Sequence, residues 1–179
     1  LAGGNRQATV AGHVEGAHLI GDNAVPSFRN QSGFFNLSPA GGYLEVNSHG
    51  ASELRFSAFD DYWQFDRARG RVAFTPIGTG GMAYSSGLLE VGLGDLQARG
   101  RFVMNGHTDK SIQTWALELG VVNADLLEAG IYLPSNLAPK FRDWLLEGVR
   151  AGQAPASGML FHGSPVRDCL LYTSPSPRD

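Results

Sequence analysis

Apolar and polar residues alternate with a period of two along most of the chain, the pattern of strands with one greasy and one wet face. Phe35 and Leu37 share parity, as do Leu44 with Val46 and Leu54 with Phe56. The spacing returns in Val72 and Phe74, in Leu89, Val91 and Leu93, and in Phe102 and Met104. Trp115, Leu117, Leu119 and Val121 close the series. Their neighbours include Asn36, Glu45, Arg55, Arg71, Glu90, Arg101 and Glu118. Strict alternation sends the two sets to opposite faces of a sheet. Four clusters are each expected to end a strand: Ala40-Gly41-Gly42, Asn47-Ser48-His49-Gly50, Gly78-Thr79-Gly80-Gly81 and Asn105-Gly106-His107. Glycine and asparagine tolerate the positive φ of tight turns, and a spacing of roughly 8–12 residues fits an antiparallel meander.

A weak repeat runs through the pattern. Ala68-Arg69-Gly70-Arg71-Val72-Ala73-Phe74 returns as Ala98-Arg99-Gly100-Arg101-Phe102-Val103-Met104, and Gly33-Phe34-Phe35-Asn36-Leu37 follows the same grammar. Such recurrence fits stacked units that share one apolar face. After Val122 the period changes. Asn123 or Asp125 is expected to cap a short helical piece through Leu126, Leu127 and Ile131, stopped by Pro134. A helix is predicted from about Pro139 to Val149, with Phe141, Trp144, Leu145 and Val149 as its apolar stripe. Ser157 to Gly163 reads as a returning strand. The prediction is a mainly β chain with a helical insert near 124–150.

Composition narrows the function classes. Charged residues are 17% of the 179 and hydrophobic ones 42%, which argues against disorder. A net charge of -3, with only two lysines, gives no general attraction to nucleic acid. No run approaches the ~18 apolar residues of a spanning helix. The last eleven residues, Cys169 to Asp179, match a translated sequencing adaptor and are read as a non-native tail. Residues 1–168, which open on Leu1, are then read as a fragment without cysteine.

Candidate chemistry is sparse. His13 and Glu15 share a strand face, but His18 falls on the other, so no metal set forms. Asp60, Asp61 and Asp66 are the densest acidic group; neighbours on a strand point apart, and a solvated loop before Trp63 explains them better than a glycosidase pair. No Gly-x-Ser-x-Gly or phosphate-cradling glycine loop is present. Arg67, Arg69 and Arg71 alternate on one face, and Arg99 and Arg101 repeat the pattern; both a wet outer face and a phosphate-binding ladder fit. No catalytic residue, metal or cofactor is expected. The apolar set is the main datum, and it suits either a closed sandwich or barrel (a binding module for carbohydrate or protein) or an open surface that offers its greasy face to a ligand.

Gly130-Ile131-Tyr132-Leu133-Pro134, then Trp144-Leu145, Gly152-Gln153 and Gly158-Met159-Leu160-Phe161, resemble in their order the YhdP family of AsmA-like proteins of Gram-negative bacteria. Ala24-Val25-Pro26-Ser27-Phe28 leading to Gly33–Leu37, and Arg67 through Phe74, are similar to that family's recurring strand opening. The resemblance spans most of residues 14–168. It implies a curved antiparallel β-sheet forming a hydrophobic groove across the periplasm. Such proteins are anchored in the inner membrane through a segment absent from this chain, and carry phospholipid between inner and outer membranes. Under that implication the acyl chains meet Phe35, Leu37, Leu44, Val46, Leu54, Phe56, Val72, Phe74, Leu89, Val91, Phe102, Met104, Trp115, Leu117 and Leu119. Arg69 and Arg101 are lesser candidates for passing phosphates.

Overall fold

The computed structural model describes residues 8–21, 26–55, 59–78, 80–107, 109, 112–132 and 139–164. Phe56 and the tail 169–179 lie outside the described residues, as do the side chains of Phe141 and Leu145. The strands are β1 (Val10–Leu19), β2 (Ser27–Ser38), β3 (Gly41–Arg55), β4 (Trp63–Ile77), β5 (Gly81–Ser86), β6 (Leu89–Leu93), β7 (Leu96–His107), β8 (Thr114–Asp125) and β9 (Gln153–Gly163). A 3-10 segment, Leu126–Tyr132, and one α-helix, α1 (Pro139–Gly148), separate β8 from β9.

All nine strands form one antiparallel sheet, ordered as the chain runs. Strands β5 and β6 share a single place between β4 and β7. Across both neighbours their registers differ by one residue, so the pair acts as one strand with an extra residue near Gly87 and Leu88. Gly87 N–H bonds back to the Arg71 carbonyl at 3.1 Å, and the Ser86 hydroxyl accepts from Phe102 N–H at 2.9 Å. The extra residue keeps the faces in step, because even positions of β5 and odd positions of β6 then point the same way.

One expected strand end is strand interior instead. Residues 47–50 lie inside β3, whereas Asn105-Gly106-His107 closes β7 at the expected place. The glycine and serines near residue 50 serve a register offset and make no chain reversal. Between His49 and Ser52 the pairing of β3 with β4 slips by one residue, and Gly50 takes φ 97°, a conformation open chiefly to glycine. Similar offsets cross β1 and β2, at Gly16 (φ 60°) and Asn30 (φ 55°). Offsets strand backbone polar groups, and small hydroxyls satisfy them. Ser48, 1% exposed, accepts from Ser32 N–H at 2.7 Å and offers its own hydrogen to Gln31 Oε1 (3.1 Å) and the Ser32 carbonyl (3.3 Å). Ser32 Oγ accepts from Gly16 N–H at 3.1 Å, and Asn30 Nδ2 donates to the Ala51 carbonyl at 2.6 Å.

The expected helix matches α1 closely, while the returning strand starts four residues earlier than expected, at Gln153. Burial is the unusual feature. Among the described residues only Phe65 and Ala68 are buried hydrophobics. A two-layer domain seals a contiguous set of large apolar side chains. Here the described strands form one sheet, and β1 and β9 each have a strand on one side only.

Candidate functional site

Directly opposed residues of an antiparallel pair point to the same face, so the registers assign faces without ambiguity. One row across the sheet reads Val10, Leu37, Gly42, Phe74, Tyr84, Met104, Trp115, Gly163. Two residues further along lies Gly12, Phe35, Leu44, Val72, Ser86 and then, across the offset, Phe102, Leu117, Phe161. A third row holds Val14, Gly33, Val46 and Gly70, then Leu89, Gly100, Leu119, Met159. Ser48, Ala68, Val91, Ala98, Val121 and Ser157 form a fourth. Thirteen of the fifteen residues proposed for acyl contact therefore share one face. At about 4.8 Å per strand a row of eight spans about 34 Å.

Leu54 departs from that face. It pairs with Phe28 and Trp63, and Trp63 alternates along β4 with Arg67, not with Ala68. The single extra residue at Gly50 turns the last part of β3 over. Conversely, Tyr84, Met159 and Phe161 join the apolar face unexpectedly. Met82-x-Tyr84 and Met159-x-Phe161 carry the same alternation, and that was the signal available.

The large side chains of this face are neither sealed nor free. Leu44 is 45% exposed and Trp115 38%, while Phe35, Phe74, Phe102 and Leu117 are half-buried by their neighbours along the rows. An extended, partly exposed apolar surface that crosses eight strands is the kind of feature that marks an interaction site. None of the described contacts of the helical elements places a side chain on it. Their described contacts gather on the start of β4: Trp63 meets the Tyr132 ring edge-on at 5.6 Å and donates from Nε1 to the Ile131 carbonyl at 3.3 Å. Phe59 packs on Trp63 at 4.7 Å, and Arg142 of α1 approaches Asp60 at 3.7 Å. Among the described residues no helix is long and apolar enough to cross a membrane.

Burial in this cluster, with the Glu128 carboxylate nearby, raises the Tyr132 phenol above its ordinary 10.0. The folded state thus favours the neutral phenol. Its contribution to stability is full below about pH 10 and is lost as pH rises through the raised value. In an alkaline titration followed by phenolate absorbance, Tyr132→Phe is expected to remove the latest transition. Glu128→Gln should move that transition only part of the way down, because burial remains.

Away from the Leu54, Trp63 and Phe65 corner, the opposite face carries cross-strand ion pairs. Arg71 bonds Glu45 at 3.0 Å, Arg99 bonds Glu90 at 3.0 Å, and Arg101 bonds Glu118 at 2.6 Å. Each pair is directly opposed across neighbouring strands. Exposed pairs of this kind stabilise by only about 0.2–1 kcal/mol each, but they hold six charged side chains flat on the wet face. Asp66 accepts from Gly94 N–H at 2.8 Å and Arg67 donates to the Gly94 carbonyl at 3.1 Å. That carboxylate therefore pins the β6–β7 turn and lines no cleft with Asp60. Among the described residues no three of His, Cys, Asp and Glu gather as a metal set. Compared with family models, curated proteins and solved structures, the chain gives no match.

Proposed function

We propose that this chain is a segment of an inner-membrane-anchored periplasmic protein that carries phospholipid between the two membranes, with its apolar face as the wall of a hydrophobic groove. The resemblance to the YhdP family supplies the cellular setting. The observation that carries the reading is the face itself: rows of large apolar side chains with no second sheet over them among the described residues. A sixteen-carbon chain drawn into water costs roughly 10 kcal/mol, at about 0.8 kcal/mol per methylene. A continuous apolar wall removes most of that barrier while the head group stays hydrated at the rim. Tight polar fixation would hinder passage, so the reading assigns no catalytic residue, metal or cofactor. Its partners are acyl chains and, through other parts of the parent protein, the two membranes; nucleic acid is not among them.

A photocrosslinking amino acid placed at Phe74 or Phe102, in cells labelled in their phospholipid pool, tests this. Lipid adducts at both positions, with none at Arg71 on the other face, are the expected result. Adducts at Arg71 alone, or at none of the three, would refute the assignment.

A further inference from the structure

Most arginines of the polar face are paired. Arg71, Arg99 and Arg101 each bond the carboxylate directly across from them on a neighbouring strand. Arg67 is held by Asp66 and the Gly94 carbonyl. Arg69 has Asn47 opposite it on β3 and Glu90 opposite it on β6. Glu90 stands between two arginines and bonds the other one, Arg99. Among the described residues the Arg69 guanidinium is thus left without a carboxylate.

It is also left beside an opening. Arg69, His49, Arg67, Arg99 and Glu90 line a depression of about 170 Å³ together with residues of the fourth row, among them Ala68 and Ala98. Three arginines, Gln97 and His49 stand among the lining residues against one carboxylate residue, Glu90, and Asp66 pairs with Arg67. We infer that this depression binds a small oxyanion of the phosphate or carboxylate class, with Arg69 as the principal donor and Arg99, His49 and Gln97 around it. A guanidinium offers paired N–H groups that fit two oxygens of such an anion. By register Arg69 stands on the face opposite the apolar rows, so its oxyanion reading does not require the lipid reading. It also separates Arg69 from Arg101, whose guanidinium is occupied by Glu118.

The test is titration of the chain with inorganic phosphate, followed through the arginine Nε–H resonances, alongside co-sedimentation with phosphatidylglycerol and with phosphatidylcholine vesicles. Phosphate is expected to move the Arg69 signal selectively, and Arg69→Gln to weaken binding at least tenfold. Arg69→Lys should bind with intermediate strength, and Arg101→Gln should bind like the unaltered chain. Binding of free phosphate without vesicles identifies a soluble anion. Sedimentation with phosphatidylglycerol alone, lost in Arg69→Gln, identifies a lipid head group and also supports the site. An Arg69 signal unmoved in both arms, or equal weakening by Arg101→Gln, overturns it.

Discussion

Phe102→Asp is expected to abolish lipid crosslinking at Phe74 and Leu117 while leaving the sheet folded. Phe102 sits in the second apolar row between Ser86 and Leu117, close to the middle of the apolar face. Removing a phenylalanine contact forfeits about 1.5–3 kcal/mol of burial, a loss of roughly tenfold to a hundredfold in affinity for the chain it covers. The carboxylate adds a desolvation penalty to any hydrocarbon laid across it. Because Phe102 is only half-buried, the cost to the fold should stay well below the 3–5 kcal/mol of a sealed phenylalanine. Val103→Asp is the matched control, one residue away on the other face and already 51% exposed. It should leave crosslinking intact. Retention of adducts in Phe102→Asp, at a denaturation midpoint like that of Val103→Asp, would remove the apolar rows from any part in lipid contact.

Gly33→Val is expected to produce the largest loss of stability of any single change in the sheet. A Cβ at Gly33 would press into the Glu45 carbonyl and lie 3.2 Å from the Val46 Cα, so relief requires β2 and β3 to move apart. Those atoms are backbone held in the strand ladder and cannot turn aside as a side-chain tip can. Overpacking of this sort costs about 1–3 kcal/mol in a well-packed site and more where the backbone must yield. We expect a loss above about 3 kcal/mol in chemical denaturation, or failure to accumulate soluble protein. Gly87→Ala is the counterpart, with nothing within 4 Å of the added carbon. It should fall within about 0.5 kcal/mol of the unaltered chain. Equal stability of the two variants would show that the β2–β3 register is wrong as drawn.

The two variants differ because glycine means different things at different places, and a linear sequence shows only the residue. Asn47-Ser48-His49-Gly50 has the composition of a turn, yet it lies inside a fifteen-residue strand. Both a turn and a register offset need positive φ and local side-chain bonds to the backbone, so both recruit the same residues. Leu54 shows the consequence. It has the parity of Leu44, and one extra residue between them was enough to carry it to the other face, against Trp63. The Arg69 site was half legible. The ladder of arginines can be counted along the chain, but which arginine lacks a carboxylate depends on which residues stand opposite across the strands.

Alternation by itself determined that the chain is mainly antiparallel sheet and which side chains travel together, because a period of two is a property of the extended backbone and needs no partner. It likewise determined the helix at Pro139–Gly148, where the period changes and a proline opens the first turn. Only the tertiary structure decided that the apolar set forms rows across the sheet and that the 3-10 segment rests on Trp63. Burial is decided by what else packs nearby. A strand bound for a sandwich core and a strand bound for an open face obey the same local rule, and they differ only in whether another layer arrives to cover them.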